Sequence, residues 1–374
     1  MRVVLAPDSF KGSITAADAA NALADGWRAT DPSAEILTRP MADGGEGTLA
    51  AFATAIPNST RMPITVTGPH GRPVEASWLL LPPADDAPTG TAIVELASTS
   101  GIELLGSDLL PLDAHSLGFG QAIAAALAHG APENRVSRLV LGIGSSASTD
   151  GGTGMLTALG ARFADTKGRT IPLGNRGLET VAAADLTGLQ PPPPGGVRVL
   201  SDVTNPLLGT LGSAAIFGPQ KGLSTAAVPS SNTRLARLAK MLPADPGTSG
   251  AGAAGGVGFG LLAWGARLVP GAAEVAELIN LREALTQASV VVTGEGSFDG
   301  QSAAGKAPTH VAALAAELGV PVVLVAGRIA PDADTSAFAA HVSLTAVAGD
   351  GRAARANPRR WLRQVGATLA EKFN

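Results

Sequence analysis

The chain has 374 residues, of which 45% are hydrophobic and 16% charged, with a formal net charge of −4. This length predicts two domains with large apolar cores, and the absence of a basic block argues against a nucleic-acid-binding face. No apolar run reaches the roughly 18 residues of a membrane span, and the N-terminus turns polar too early for a signal peptide. Cysteine is absent, which excludes disulfides and thiolate metal sites. We therefore expect a cytoplasmic enzyme.

Both ends of the chain predict strands that alternate with helices. The first part has apolar runs at residues 2–6 and 34–38, followed by helical spacing at 14–27 and 47–55. The last part repeats this alternation, with predicted strands at 290–292, 320–325 and 342–345 and predicted helices at 309–318, 335–341 and 358–372. Such alternation is typical of a parallel sheet, whose ligands bind at the carboxyl ends of the strands.

The middle of the chain has a different pattern. Residues 60–83 alternate polar and apolar side chains around a Gly-Pro-His-Gly turn, which predicts a hairpin. Further strands are predicted at 92–96, 136–142 and 197–201, and further helices at 118–129, 151–163 and 235–242.

These patterns predict an α/β fold with two domains. Residues 1–60 and 286–374 would form a discontinuous parallel-sheet domain of the flavodoxin or Rossmann type, with residues 61–285 inserted as a second α/β domain. The active site would lie in the cleft between them.

The most informative segment is TGEGSFDGQSAAGKAP, residues 293–308. Its glycines let the backbone approach a ligand, and the helix start that follows offers N–H groups to an anion, next to Lys306. Because Glu295 and Asp299 would repel a bare phosphate, we expect a metal ion or a hydroxyl substrate here as well. Ala307 stands where a P-loop needs Ser or Thr for Mg²⁺, so we reject a standard P-loop. A glycine-rich surface connection is the alternative.

Two more acidic turns follow predicted strands near the N-terminus. The first contains Asp8, Ser9 and Lys11, and the second contains Asp43 and Glu46. In a parallel sheet these turns open on the same edge as the glycine-rich segment, so their charged side chains can converge.

Lysine is rare in this chain, with six residues against 21 arginines. Lys11, Lys221 and Lys306 all lie in glycine-containing segments, which suggests positions that need a compact ammonium group.

The inserted segment contributes a second group of polar residues. Residues 142–154 are rich in hydroxyl and backbone N–H groups around Ser145 and Ser146, as in an anion cradle. Asp202 follows a predicted strand, where it could bind a metal ion or act as a base, and Asn205 lies three residues later.

Other chemistries have weaker support. Residues 252–260, GAAGGVGFG, include Gly255 and Gly256 but no G-x-G-x-x-G, so a dehydrogenase is disfavoured. For this stretch, a helix packed tightly on a neighbour is as well supported as a binding role. The five histidines have no metal-ligand spacing, and the serines lack G-x-S-x-G.

Taken together, six segments resemble, in the same order, the motifs of type I glycerate kinases. They are APDSFKGSITA (6–16), PMADGGEGT (40–48), GIGSSASTDGGTGM (142–155), SDVTNPLLG (201–209), FGPQKG (217–222) and TGEGSFDGQSAAGKAP (293–308). The resemblance implies ATP-dependent phosphorylation of D-glycerate, usually at the 2-hydroxyl, with Mg²⁺, on two α/β domains of which one is flavodoxin-like. Every carboxylate and lysine of the motifs is kept, but Ser145 stands where the family often has glycine.

Within this resemblance, an aspartate must accept the proton of the attacking hydroxyl. We expect Asp202 to be this base, with Asp8 as second choice and Lys11 as a further catalytic residue. The expected substrate-binding residues are Ser9, Asp43, Glu46, Ser145, Ser146 and Asn205. The expected ATP-binding residues are Lys221, Gly294, Lys306, Gly255 and Gly256, and the expected Mg²⁺ ligands are Glu295 and Asp299.

The competing function is a non-kinase protein that binds a phosphate ligand or a sugar phosphate. It would need the glycines but fewer carboxylates. Among kinase products, 2-phosphoglycerate is favoured over 3-phosphoglycerate, and a homodimer is one option for the assembly.

Overall fold

The structure is a computed structural model that describes residues 1–131, 135–300 and 306–373. The strands within these ranges are β1 (Arg2–Pro7), β2 (Glu35–Thr38), β3 (Thr60–Thr67), β4 (Pro73–Leu81), β5 (Thr91–Glu95), β6 (Arg138–Gly142), β7 (Arg162–Ala164), β8 (Ala183–Asp185), β9 (Val197–Leu200), β10 (Arg267–Val269), β11 (Val290–Phe298), β12 (Val322–Ile329) and β13 (Ala340–Ser343).

The α-helices in the same ranges are α1 (Ala16–Thr30), α2 (Thr48–Ala55), α3 (Leu96–Ser100), α4 (Leu117–Ala128), α5 (Thr153–Ala158), α6 (Gly174–Gly177), α7 (Ser213–Phe217), α8 (Val228–Ala239), α9 (Ala253–Ala263), α10 (Gly271–Leu278), α11 (Leu281–Thr286), α12 (Ala307–Glu317), α13 (Leu344–Ala348), α14 (Gly351–Ala356) and α15 (Pro358–Phe373). None of the helices in the described part of the chain is both long and apolar enough to cross a bilayer.

The chain divides into two compact units. The first contains Met1–Asp43, Ala50–Pro57 and Gly271–Asn374, and the second contains Gly44–Leu49 and Asn58–Pro270. Residues 44–49, 58–60 and 271–285 thus group differently from the boundaries predicted from sequence. The predicted insertion and the predicted cleft stay predictions.

The first unit contains a five-stranded sheet in the order β13-β12-β11-β1-β2, and every neighbouring pair is parallel. The consecutive apolar residues of β1, Val3 to Leu5, are fully buried, as expected for a parallel strand that is covered on both faces. The side chains of Leu23 and Trp27 on α1 and of Leu362 on α15 belong to the same core.

The second unit contains a six-stranded sheet in the order β10-β9-β6-β5-β4-β3. Its strands β5, β6, β9 and β10 are parallel, and β3 and β4 add the predicted antiparallel hairpin. A separate two-stranded sheet pairs β7 with β8. The predicted α/β class with parallel sheets is therefore confirmed.

Three elements differ from the sequence prediction. Strand β11 continues through the glycine-rich segment to Phe298, since Gly294 to Phe298 pair along β12 instead of forming a loop. The predicted helix at 151–163 stops at Ala158, because Gly160 has a φ of +109°. At 335–341, a turn and the first residues of β13 replace the predicted helix; the turn begins where Asp334 Oδ1 accepts a hydrogen bond from Ser336 N.

Candidate active site

The first group of predicted residues lies at the carboxyl ends of β1 and β11. These strands pair in parallel up to Pro7 and Gly294, and the Asp8 amide donates to the Gly294 carbonyl at 2.8 Å. Beyond this point a Cβ on Gly296 would lie 3.1 Å from the Lys11 amide nitrogen. The absence of a side chain at Gly296 therefore lets the turn that carries Asp8 and Lys11 lie against the glycine-rich strand.

Lys306 occupies the N-cap position of α12. Its Nζ atom lies 3.8 Å from Glu295 Oε2 and 3.9 Å from Asp299 Oδ1. The Lys306 side chain is partly exposed, so these ion pairs contribute little to the stability of the fold. They do keep the two carboxylates close to the start of α12. Residues 301–305, which include Gly305 of the rejected P-loop pattern, lie outside the described residues.

The donor chemistry at Glu295 and Asp299 fits Mg²⁺. Carboxylate oxygens are its usual protein ligands, and one or two of them suffice when substrate phosphates and water complete the shell. A group of three or more acidic or histidine side chains able to hold a metal ion is not found among the described residues. The two carboxylates therefore suit a metal ion that arrives with phosphate.

The second group lies at the carboxyl ends of β5, β6 and β9. Their last residues are in register, since Glu95 pairs with Gly142 and Gly142 with Leu200. Gly44 lies against this edge, because its carbonyl accepts a 2.9 Å hydrogen bond from the Gly144 amide. Exposed Glu46 follows on the same segment. In the first unit, a Cβ on Gly271 would lie only 2.3 Å from the carbonyl oxygen of Asp43, so Gly271 lets the two segments pack closely.

Glu95 is a functional candidate that our sequence reasoning missed. It is 5% exposed at the end of β5, and it accepts hydrogen bonds from the amides of Gly47 at 3.3 Å and Leu49 at 3.0 Å. It therefore anchors the start of α2 and the segment that carries Glu46. Burial raises the pKa of its carboxyl group, against the lowering effect of these amides. The sequence signal was a single carboxylate that ends an apolar strand.

Replacement of Glu95 by Gln should change how stability depends on pH. A raised folded-state pKa means that ionised Glu95 is less favourable in the folded state than in the unfolded chain. The contribution of the Glu95 carboxyl group to the free energy of unfolding is complete below its unfolded pKa of about 4.5. This contribution is lost as the pH rises through the raised pKa of the folded state. Urea unfolding at several pH values should show Glu95→Gln gaining stability relative to wild type as pH rises. This prediction would be contradicted if the difference in the free energy of unfolding between variant and wild type stayed constant from about pH 4 to about pH 8.

The turn between β6 and α5 is held by hydrogen bonds to the start of α9. Ser146 Oγ donates to the Ala254 carbonyl at 3.0 Å, and the Gly151 amide donates to the Gly255 carbonyl at 3.0 Å. Ala254, Gly255 and Gly256 are all left-handed, with φ of 54°, 74° and 87°. The predicted tightly packed helix thus begins with an irregular turn that contacts the hydroxyl-rich segment.

Ser145 lies in the same turn with a φ of +58°, a conformation that favours glycine. This conformation agrees with the expectation from the resemblance that glycine often stands here. We expect Ser145→Gly to stabilise the protein by roughly 0.5–1 kcal/mol, because relief of left-handed strain exceeds the added chain entropy. Urea unfolding measures this change, with Ser145→Ala as the control that retains the Cβ. Equal stability of the glycine and alanine variants would show that no strain is stored here.

Asp202 lies two residues after the end of β9, and its side chain is exposed. The Ser201 amide donates to the Val269 carbonyl at 3.0 Å, which continues the pairing of β9 with β10 up to this point. Asn205 Nδ2 donates to the Leu211 carbonyl at 2.8 Å, so this side chain also shapes its own loop.

Lys221 has a different environment from that expected of a phosphate ligand. Its side chain is 3% exposed, and Nζ donates to the Ser148 carbonyl at 2.5 Å. Burial lowers the pKa of its ammonium group to about 7, while Asp150 acts to raise it.

The predicted residues therefore fall into two groups, one in each unit. The first unit brings together Asp8, Ser9, Lys11, Gly294, Glu295, Asp299 and Lys306 at one sheet edge. The second unit holds Glu46, Ser145, Ser146, Asp202, Asn205, Lys221, Gly255 and Gly256. The roles assigned to these residues, and to Asp43, stay predictions.

Known proteins with similar sequences show the family of this chain. A sequence model described as "Glycerate kinase family" matches residues 3–374. The chain is 39% identical to "Glycerate 2-kinase" of Escherichia coli (strain K12), which covers 99% of this chain and 98% of that protein. It is 38% identical to "Glycerate kinase" of Bacillus subtilis (strain 168), over 89% of this chain and 87% of the relative.

A solved structure is similar over the whole chain. It carries the name glycerate kinase 2 from Salmonella typhimurium LT2, with a TM-score of 0.82, 36% identity, and coverage of 100% of this chain and 98% of the other. These comparisons confirm the predicted enzyme class, a phosphotransferase with an alcohol group as acceptor. The chain belongs to the glycerate kinase family.

Proposed function

We propose that this enzyme transfers the γ-phosphoryl group of ATP to the 2-hydroxyl of D-glycerate, giving 2-phosphoglycerate, with Mg²⁺ as cofactor. The observation that carries the proposal is the position of Lys306 at the start of α12, with two carboxylates within 4 Å of its Nζ atom. A cation and backbone N–H groups suit phosphate, and the carboxylates suit the metal ion that accompanies it. Bound Mg²⁺ would neutralise charge on the transferred phosphoryl group.

The first unit supplies most groups that suit ATP. Lys306 would neutralise phosphate charge, Gly294 would allow close backbone approach, and Glu295 and Asp299 would hold the metal ion. Phosphoryl transfer depends on position and charge neutralisation, which these residues can provide without a covalent intermediate. Asp8 and Lys11 lie beside this strand, where they could orient the reacting groups.

The second unit supplies the proposed base and most substrate-binding groups. Exposed Asp202 can reach a hydroxyl substrate in solution, which a base must do, and it would accept the proton of the attacking oxygen. The hydroxyl-rich turn at Ser145 and Ser146 would bind the glycerate carboxylate. Glu46 and Asn205 lie in the same unit and would orient the glycerate hydroxyl groups, as would Ser9 and Asp43 of the first unit.

Phosphorylation at the 2-hydroxyl rests on similarity to the E. coli protein, whose name specifies a 2-kinase. Family membership argues against the competing hypothesis of a non-kinase phosphate-binding protein. A cytoplasmic location and a homodimer stay predictions.

Proton-coupled ³¹P NMR of the reaction tests both the activity and the product. With ATP, Mg²⁺ and D-glycerate, we expect a phosphomonoester doublet, since the carbon of the 2-position carries one hydrogen. A triplet would instead identify 3-phosphoglycerate and reject the proposed regiochemistry. Chelation of divalent cations should abolish the signal. Consumption of ATP without a new monoester would reject glycerate as the acceptor.

A further inference from the structure

The second unit contains a buried charged network that the proposed reaction does not use. Asp150 is fully buried in the turn before α5. Its Oδ2 atom accepts hydrogen bonds from Ser116 N at 2.9 Å, Ser116 Oγ at 2.8 Å and Gly154 N at 3.2 Å. Its Oδ1 atom accepts from Ser148 Oγ at 3.0 Å and Gly152 N at 3.1 Å. One carboxylate therefore joins the start of α4 to Ser148, Gly152 and Gly154 of the hydroxyl-rich turn.

Lys221 holds the same turn from the opposite side of Ser148. Its ammonium group donates to the Ser148 carbonyl, while the Ser148 hydroxyl donates to Asp150. A Cβ on Gly255 would lie 2.9 Å from Lys221 Nζ and 1.8 Å from the Ser148 carbonyl oxygen. The left-handed glycine turn and the lysine are thus packed around one peptide group, which fixes the shape of the segment that carries Ser145 and Ser146.

We infer that Asp150 and Lys221 are positioning residues, which hold the 145–152 turn in the shape that binds the anionic substrate without touching the reacting atoms. This inference rests on the proposed function of that turn. It replaces the direct phosphate contact that the sequence suggested for Lys221. The reason is geometric, because an ammonium group that is bonded to Ser148 O and 3% exposed cannot also reach a solvent-borne phosphate without leaving its place.

The charged groups around this turn determine how substrate binding depends on pH. Asp150 acts to raise the pKa of Lys221, which burial lowers to about 7. His115, next to Ser116, is also buried; burial lowers its pKa, Asp150 acts to raise it, and His70 acts to lower it. Loss of the Lys221 proton weakens the charge-assisted hydrogen bond to Ser148. Substrate binding should therefore weaken as pH rises through the pKa of Lys221.

The test compares three substitutions by the pH profile of KM for D-glycerate. We expect Asp150→Asn to raise KM by about 10²-fold and to move the alkaline rise in KM to lower pH, because the carboxylate no longer supports the lysine charge. Lys221→Gln should raise KM at every pH and remove the rise. Lys221→Arg should keep substrate binding and move the rise out of the measured range, since arginine stays charged.

A second measurement needs no turnover, so it separates this inference from the proposed function. Because the chain has six lysines, NMR of ¹³C-lysine-labelled protein can follow the titration of Lys221. We expect its pKa to fall by about one unit or more in Asp150→Asn. Asp165→Asn is the matched control, since Asp165 also accepts two backbone N–H groups, but in a turn after β7.

Two results would overturn the inference. The first is a Lys221 pKa that is the same in wild type and Asp150→Asn. The second is a set of variants whose kcat falls uniformly at unchanged KM and unchanged pH profile, because that pattern belongs to groups that contact the transition state. Circular dichroism of each variant shows whether the fold is kept, and the conservative Lys221→Arg remains informative if Asp150→Asn does not fold.

Discussion

Replacement of Asp202 by Asn should reduce kcat by roughly 10²–10⁴-fold, the usual contribution of a general base, while the fold is kept. Amide and carboxylate have nearly the same shape, but the amide cannot accept the proton of the attacking hydroxyl. The side chain is exposed, two residues beyond the end of β9, so the fold does not depend on burying it. Initial rates of ADP formation with D-glycerate measure the effect.

The control for this prediction is Asp185→Asn. Asp185 ends β8, is also exposed and accepts hydrogen bonds from Thr187, but it belongs to none of the motifs. Its variant should retain full activity. A near-normal kcat for Asp202→Asn would instead remove Asp202 as the base, and Asp8→Asn would then be tested in the same assay.

Replacement of Glu295 by Gln should lower kcat/KM for ATP by roughly 10²-fold, the usual effect of removing one group that stabilises transferred charge. The substitution leaves one carboxylate, Asp299, near Lys306 Nζ. If Glu295 binds Mg²⁺, a higher Mg²⁺ concentration should partly restore the rate, because the remaining ligands bind the ion more weakly. Rates measured across a series of Mg²⁺ concentrations test this directly.

Glu317→Gln on α12 is the matched control, since Glu317 is exposed and pairs with Arg282 away from the start of the helix. Its Mg²⁺ dependence should match wild type. A loss of activity in Glu295→Gln that no Mg²⁺ concentration relieves would argue that Glu295 acts by holding Lys306, and not by binding the metal ion.

The glycine-rich strand β11 shows why a local sequence pattern predicts which elements form better than it predicts where they end. The pattern around Glu295 correctly predicted a strand and a following helix, but it ended the strand six residues early. Glycines usually weaken a strand. Here β12 supplies hydrogen-bonding partners as far as Phe298, and the missing side chain at Gly296 makes room for the turn at Lys11. Pairing with a strand from elsewhere in the chain thus decided the conformation.

The sequence by itself determined the α/β class, the parallel strands and the family, because apolar periodicity and six ordered motifs are local properties of the chain. Tertiary structure decided the environment of each polar group. It buried Lys221 against Ser148 and placed Asp150 among five hydrogen-bond donors. It also attached Glu95 to the start of α2. Burial and hydrogen bonding depend on residues distant in the chain, and they set both the pKa of a group and whether it can reach a ligand.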